Sequence, residues 1–383
     1  MSVTSADAMA KLSTHTQREI MHQPTMWARV RDSVGAQEAA IHTFLSETVP
    51  PNARIILTGA GTSAFIGEIL QPALSTLLER RVDALATTDI VSNPRPAFAE
   101  DIPTLLVSFA RSGNSPESVA ATGLANATLS RVNHLVITCD SEGHLYREHT
   151  GVSGSLALLT PAGTNDKSFA MTSSFSSLLL TALLAFIPSY ESEIDRIARS
   201  ATWSLTTGAS VLDDLAGHPY HRVVYLGSGS LAGLARESAL KLLELTAGNV
   251  VGLYDSSLGF RHGPKSVLDQ RTLAVVFVSN DPYTRQYDLD ILTELGSTPG
   301  DHDVLAVSTQ AESIDGVTTH TLPELATVPD ELLALPYVTV AQQIALRQSF
   351  RWGIMPDNPF PTGSVNRVVK GVTIHSFRSR VHP

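Results

Sequence analysis

Short apolar runs alternate with amphipathic stretches along most of this chain. Ile55–Leu57 is an apolar run, a glycine-containing turn follows at 59–63, and residues 64–70 place apolar side chains at helical spacing. That order predicts a strand, a loop and a helix. Residues 222–238 carry the same pattern, with Arg222 standing 168 positions after Arg54 (222 minus 54). Thr104 and Thr272 open further apolar runs at that same offset, and runs at His134 and Val304 follow at 170 (304 minus 134). Three strand-to-helix units in one order, twice over, indicate a duplicated domain. Strands alternating with helices predict parallel sheets covered on both faces, with ligands at the carboxyl ends of the strands. The expected fold is α/β: two tandem doubly wound parallel-sheet domains, flavodoxin-like and three-layered (α/β/α), after an N-terminal helical segment. The expected boundaries are 1–50 for that segment, 51–200 for the first domain, and 201–383 for the second with the C-terminal tail. Pro188 closes a long apolar helix, and Glu191 to Leu215 reads as an amphipathic linking helix.

Composition narrows the class. Of 383 residues, 43% are hydrophobic and 17% charged, enough apolar material for sizeable cores. A net charge of -10 disfavours nucleic acid, so an anionic ligand needs a dedicated local site. The single Cys139 excludes an intramolecular disulfide and a multi-thiolate zinc centre. His218 and His221 are split by Pro219, and no metal-ligand pattern emerges. Met1 to Lys11 lacks the basic-then-apolar order of a signal peptide, and the run Leu178–Ile187 is too short to span a bilayer. A cytoplasmic protein with no membrane and no nucleic-acid partner is the expectation.

Several segments carry candidate chemistry. Gly59 to Ser63 is either a tight strand-to-helix turn capped by Thr62 or Ser63, or an anion-binding turn. Residues 108–118 gather four serines with Arg111, Gly113 and Asn114, and set Pro116 at a first helical position with Ser115 as its cap. Hydroxyls and free amides before a helix make a phosphate cradle. The corresponding stretch of the second half holds Asp281, which would repel a phosphate, so a single phosphate site in the first half is expected. Residues 162–174 place hydroxyls, Thr172 among them, at another helix start. Glu237, Lys241 and Glu244 share a helix face. Glu237 and Lys241 read as an ordinary surface ion pair, whereas Glu244 among leucines is either solvated or a base of raised pKa. His262, before Gly263-Pro264 and between Arg261 and Lys265, lies in a rigid loop and suits proton transfer if it is not structural. Lys370 sits in an irregular, Pro- and Gly-rich tail.

Together these residues resemble the sugar isomerase (SIS) domain family over about residues 16–378. Glu19-Ile20 with Gln23-Pro24, Gly61-Thr62-Ser63, and Ser112-Gly113 with Ser115 resemble the family's motifs. Ala110, Arg111 and Met171 depart from them. The runs 57–67, 111–121, 169–174, 259–266, 282–290 and 363–372 are similar to the subfamily of tagatose-6-phosphate ketose/aldose isomerases and galactosamine-6-phosphate deaminases (AgaS-like). The resemblance implies a sugar-phosphate substrate, no cofactor and no metal. It implies phosphate binding by Gly61, Thr62, Ser63, Arg111, Ser112, Gly113, Asn114, Ser115 and Thr172. It assigns Glu244 the proton shuttle between C1 and C2, His262 ring opening from a neighbouring subunit, and Lys370 a catalytic role. A homodimer or dimer of dimers follows. The implied reaction converts galactosamine 6-phosphate to tagatose 6-phosphate and ammonia. Two other readings stand beside it: a non-catalytic phosphosugar-binding regulator, and a glucosamine- or fructosamine-phosphate deglycase of the same fold.

Overall fold

The structure is a computed structural model that describes residues 14–298, 300–369 and 371–377. Helices α1 (His15–Met21), α2 (Gln23–Gly35) and α3 (Glu38–Thr48) come first, as the opening pattern predicts. Then follow β1 (Arg54–Thr58), α4 (Thr62–Leu77), β2 (Val82–Ala84), the short helices α5 (Thr87–Ser92) and α6 (Pro94–Ala97), and β3 (Thr104–Ala110). Next come α7 (Pro116–Thr128), β4 (Val132–Thr138), α8 (His144–His149), β5 (Ser155–Leu159) and α9 (Ser173–Phe186). The second half runs α10 (Ile194–Leu205), α11 (Ser210–Ala216), β6 (Arg222–Leu226), α12 (Ser230–Leu245), β7 (Val251–Asp255) and β8 (Thr272–Phe277). It ends with α13 (Thr284–Gly296), β9 (Asp303–Ser308), β10 (Thr318–Thr321) and α14 (Asp330–Arg351). The expected linking helix is in fact two, α10 and α11, separated by a tight turn at Thr207–Ala209.

The strands form two parallel five-stranded sheets, ordered β2-β1-β3-β4-β5 and β10-β9-β8-β6-β7. Counted within its own half, each sheet has the order 2-1-3-4-5, the flavodoxin-like doubly wound arrangement. The reason lies in the strands' composition. β1 and β3 are buried along their whole length, as strands covered on both faces must be. On one face of the first sheet, Ile56 and Leu106 pack with Ile90, Ala121 and Ala125 of the covering helices. In the second sheet, Val224, Ala274 and Val276 pack with Phe260, Ile291 and Leu292.

Backbone contacts group the chain into two units. The first sheet goes with Arg29–Asn165, Ser177–Glu191 and the tail from Val365. The second goes with the helical residues up to Ala28, Asp166–Ser176 and Ser192–Ser364. In each doubly wound sheet the chain winds in opposite directions from two neighbouring strands, and a crevice opens at their carboxyl ends. Those strands are β1 and β3 in the first unit, and β6 and β8 in the second. No helix among the described residues is long and apolar enough to cross a membrane.

Candidate functional site

At the first switch point, Gly61, Thr62 and Ser63 follow β1, and Arg111 to Ser115 follow β3, so the structure brings both candidate loops to one crevice. The 59–63 turn depends on its glycines. A Cβ on Gly59 would lie 2.6 Å from the Ser63 backbone carbon, and Gly61 has φ +55. The turn delivers the N-terminus of α4 with no side chain capping it; the Ser63 and Ala64 amides donate to the Ala60 and Gly61 carbonyls at 3.2 and 2.8 Å. In the second loop Gly113 has φ +66, and Asn114 accepts the His144 amide at 3.1 Å while its own amide donates to the Ser112 hydroxyl at 3.3 Å. Pro116 occupies the first helical position as expected. Ser115 stands at the cap position, but its hydroxyl makes no capping bond, contrary to the expected role. Arg111 is buried and donates from Nη2 to the Arg367 carbonyl of the C-terminal tail at 2.9 Å.

The second switch point is built alike, with Gly229 at φ 56 and ψ -127 against Gly61 at φ 55 and ψ -127. Here a carboxylate occupies three of the nearby donors. Asp288, fully buried, accepts from Ser228 Oγ at 2.8 Å, Ser257 Oγ at 2.5 Å and the Ser279 amide at 3.0 Å. Burial pushes its carboxyl up, against the downward pull of those three bonds. Asp281 accepts the amides of Tyr283 at 3.1 Å and Thr284 at 2.8 Å, and these hold its carboxyl below the usual carboxylate range. The expected repulsion by Asp281 is thus joined by a second carboxylate that the sequence reading missed. Its one signal was Asp288 at the place, 168 residues on, where the first half has Ala120.

Glu237, Lys241 and Glu244 lie on one face of α12, and here the surface-pair expectation fails. Lys241 and Glu237 are fully buried, and the Glu244 side chain is 24% exposed. Lys241 Nζ stands 3.5 Å from Glu237 Oε1 and bonds Glu244 Oε2. The ammonium is therefore held between a sealed carboxylate and one that reaches solvent. Such a lysine fixes where the Glu244 carboxylate sits at the end of α12.

His262 is exposed, in the loop after β7. Phe260 anchors that loop in the core, and Gly263 turns it with φ +121. Arg261 and Lys265 do not flank the imidazole as charges; both pair with Glu294, Arg261 Nε at 2.6 Å. α12 descends from the carboxyl end of β6, which puts Glu244 about 20 Å below its start, while the His262 loop runs down past α13, where Arg261 and Lys265 hold Glu294 and the Val267 carbonyl accepts from Arg222 at the start of β6. Lys370 lies outside the described residues.

Thr172 precedes α9, whose start the hydroxyl-rich sequence marked as a place for an anion. The anion there is Asp166, which accepts from the Thr172 hydroxyl and amide at 2.8 Å each, from the amides of Ser173 and Ser174 at 3.0 and 2.9 Å, and from the Ser174 hydroxyl. Glu19 plays a similar part, accepting the Lys167 amide at 2.6 Å. Gln23 Nε2 donates to Gln342 Oε1 at 2.7 Å, and Ser176 donates to Gln23 Oε1 at 2.8 Å. The Glu19-Ile20 and Gln23-Pro24 segment is thus a buried brace.

The SIS domain family profile matches residues 50–188 and 218–350. A Streptomyces coelicolor protein is 54% identical over 370 residues, 95% of this chain and 96% of its own. The D-galactosamine-6-phosphate deaminase AgaS of Escherichia coli is 46% identical over 377 residues, 97% and 98% of the two chains. The crystal structure of tagatose-6-phosphate ketose/aldose isomerase from Escherichia coli superposes with a TM-score of 0.89 at 43% identity, covering 96% of this chain and 98% of that one. With two matched segments, two sheets of one order and relatives this similar end to end, the chain belongs to the SIS domain family.

Proposed function

We propose that this chain is an amino-sugar-phosphate deaminase and isomerase that converts galactosamine 6-phosphate and water to tagatose 6-phosphate and ammonia. The observation that carries the reading is the Lys241-held Glu244, in a chain 46% identical to the Escherichia coli deaminase. The phosphate binds Thr62, Ser63, Ser112, Asn114 and Ser115 with the turns at Gly61 and Gly113. Thr172 serves Asp166 with both its hydroxyl and its amide. His262 moves a proton at the ring oxygen to open the sugar. Glu244 takes the C2 proton, leaving an enolamine, and returns it to C1. The C2 iminium that results adds water and expels ammonia, leaving the ketose. The carbonyl beside C2 acidifies that C–H bond, so the step asks of the protein only a placed base.

A homodimer completes the reading. In it His262 is given by a neighbouring chain, the arrangement that the family resemblance implies. Val251 and Tyr254, on opposite faces of edge strand β7, and Leu258 in the loop leading to His262 expose 44%, 48% and 46% of their surfaces, apolar edge surface suited to a second copy. Sedimentation equilibrium of the wild type and of Tyr254→Asp checks it, with monomeric wild type as the refuting result.

The functional test is ammonia release measured side by side on galactosamine 6-phosphate and glucosamine 6-phosphate. Release from the galacto compound is expected. Preference for the gluco compound points to a deglycase, and binding of both without turnover points to a regulator. Proton transfer between C2 and C1 of a 2-hydroxy sugar phosphate, with no ammonia released from either amino sugar, reduces the activity to plain aldose–ketose isomerisation, the reaction class named for the Escherichia coli structure.

A further inference from the structure

Beneath the two loops of the first switch point lies a polar layer that the proposed chemistry does not use. Thr58 Oγ1, Thr87 Oγ1, Ser108 Oγ and Glu117 Oε2 are all buried without a hydrogen-bond partner. The four residues are 0%, 1%, 2% and 8% exposed. Each stands one rung above a member of the apolar cluster between the sheet and its helices. Thr58 follows Ile56 and Ser108 follows Leu106 on the same face of neighbouring strands, where Thr58 and Ser108 are register partners. Thr87 is one turn before Ile90 on α5, and Glu117 is one turn before Ala121 on α7. The Thr87 amide donates to the Gly59 carbonyl at 2.7 Å, which fixes that corner against the end of β1. The apolar core therefore ends, at its top, in three hydroxyls and a carboxylate from four different elements.

Among the described residues Glu117 makes no ion pair. A buried carboxylate without a cation is costly by several kcal/mol, and a buried hydroxyl without a partner adds to that cost. Hydroxyl oxygens can turn their hydrogens away and present lone pairs, so this layer offers oxygen donors from four elements. Oxygen donors select hard cations, and one carboxylate matches one positive charge. Divalent ions that demand several carboxylates or keep a water shell fit poorly.

We propose that Thr58, Thr87, Ser108 and Glu117 bind a monovalent cation of potassium or ammonium size, which ties the base of the 59–63 loop to the base of the 111–115 loop. The link to catalysis rests on the phosphate role proposed for those loops; the cation site itself does not. Thermal unfolding of the full chain is followed in 100 mM potassium, ammonium or tetramethylammonium chloride, three concentrations fixed alike at about 0.1 M so that ionic strength is constant. The midpoint is expected to be roughly 3 °C higher in the first two salts than in the third, as for a site about 90% filled. Glu117→Gln is expected to erase that difference, and Thr58→Val serves if the first variant folds poorly. Thallium(I) soaked into crystals is expected to give an anomalous peak among the four side chains. A response to ammonium alone assigns the site to that ion. Equal midpoints in all three salts for the wild type, or a difference that survives in Glu117→Gln, overturns the proposal. Unfolding is indifferent to turnover, so a protein inert toward every sugar phosphate that still shows the cation response would sink the proposed function and leave the cation site standing.

Discussion

Replacing Lys241 with methionine keeps its length and removes its charge. Glu237 is then left fully buried with the ammonium 3.5 Å from it gone. At an effective dielectric near 20 the lost attraction is about 5 kcal/mol, and breaking buried pairs by removing one partner costs about 3–5 kcal/mol. A ceiling follows from proton uptake: neutralising an ordinary carboxylate at pH 7 costs about 1.36 kcal/mol for each of some 2.7 pH units, roughly 4 kcal/mol. Lys241→Met should therefore lose about 3–4 kcal/mol at pH 7, a fall in melting temperature of roughly 6–15 °C. The sign with pH is distinctive. The folded variant holds the extra proton, so its deficit should shrink to about 1 kcal/mol near pH 5. Adding Glu237→Gln should restore most of the stability without restoring activity. Glu244→Gln leaves the buried pair intact and should stay within about 1 kcal/mol of wild type while losing at least a hundredfold in turnover. The assays are melting curves from pH 5 to 8 and ammonia release. A Lys241→Met protein within about 1 kcal/mol of wild type at pH 7 would refute the reading of α12 as a sealed ion cluster.

Three further outcomes are expected. Glu294→Ala frees Arg261 and Lys265 and should lower kcat about tenfold through a looser His262 loop, with a stability change under about 1 kcal/mol because both pairs are partly exposed; steady-state kinetics and melting check this. His134 and His320 are held by burial at pKa values of about 4, below the 6.5 of the unfolded chain. The unfolded state then binds more protons between pH 6.5 and 4, so stability should fall as pH drops through that window, by about 2 kcal/mol per histidine at pH 5, partly offset by the raised carboxyls of Asp288 and Asp330. Urea unfolding at pH 7 and 5 measures it, and His320→Gln should remove one share. Gly59→Ala forces a Cβ to 2.6 Å from the Ser63 backbone and should cost more than about 2 kcal/mol, with loss of inorganic phosphate binding by calorimetry.

The legible parts of this chain were those fixed by local order. The buried strands β1 and β6, the glycine turns after them, and the helices from Thr62 and Ser230 follow from apolar runs and turn residues, and their bounds fall 168 apart. Pro116 placed the start of α7 from sequence because its ring suits that position. The misreadings concern groups whose surroundings come from afar. Glu237 and Lys241 have the spacing of a solvated stripe, and the same spacing serves a buried one. What seals them is packing against β7 and α14, which α12's own sequence does not encode. Asp288 looks like any charge one turn into a helix until serines from three separate loops converge on it. The cap expected of Ser115 failed for the opposite reason, since the local rule names the position but not where the hydroxyl turns.

Asp166, Asp281 and Asp288 have a kinetic meaning as well. Each is an anion tethered by a few bonds to the donors it occupies, so its effective concentration there is molar or more, far above any metabolite. A soluble phosphate competing for the start of α9 or of α13 would have to displace a rival that never diffuses away. The first switch point, where Ala120 stands in the place of such a rival, offers its amides and hydroxyls without that competition. Transplanting one carboxylate, Ala120→Asp, would write a permanent inhibitor into the chain.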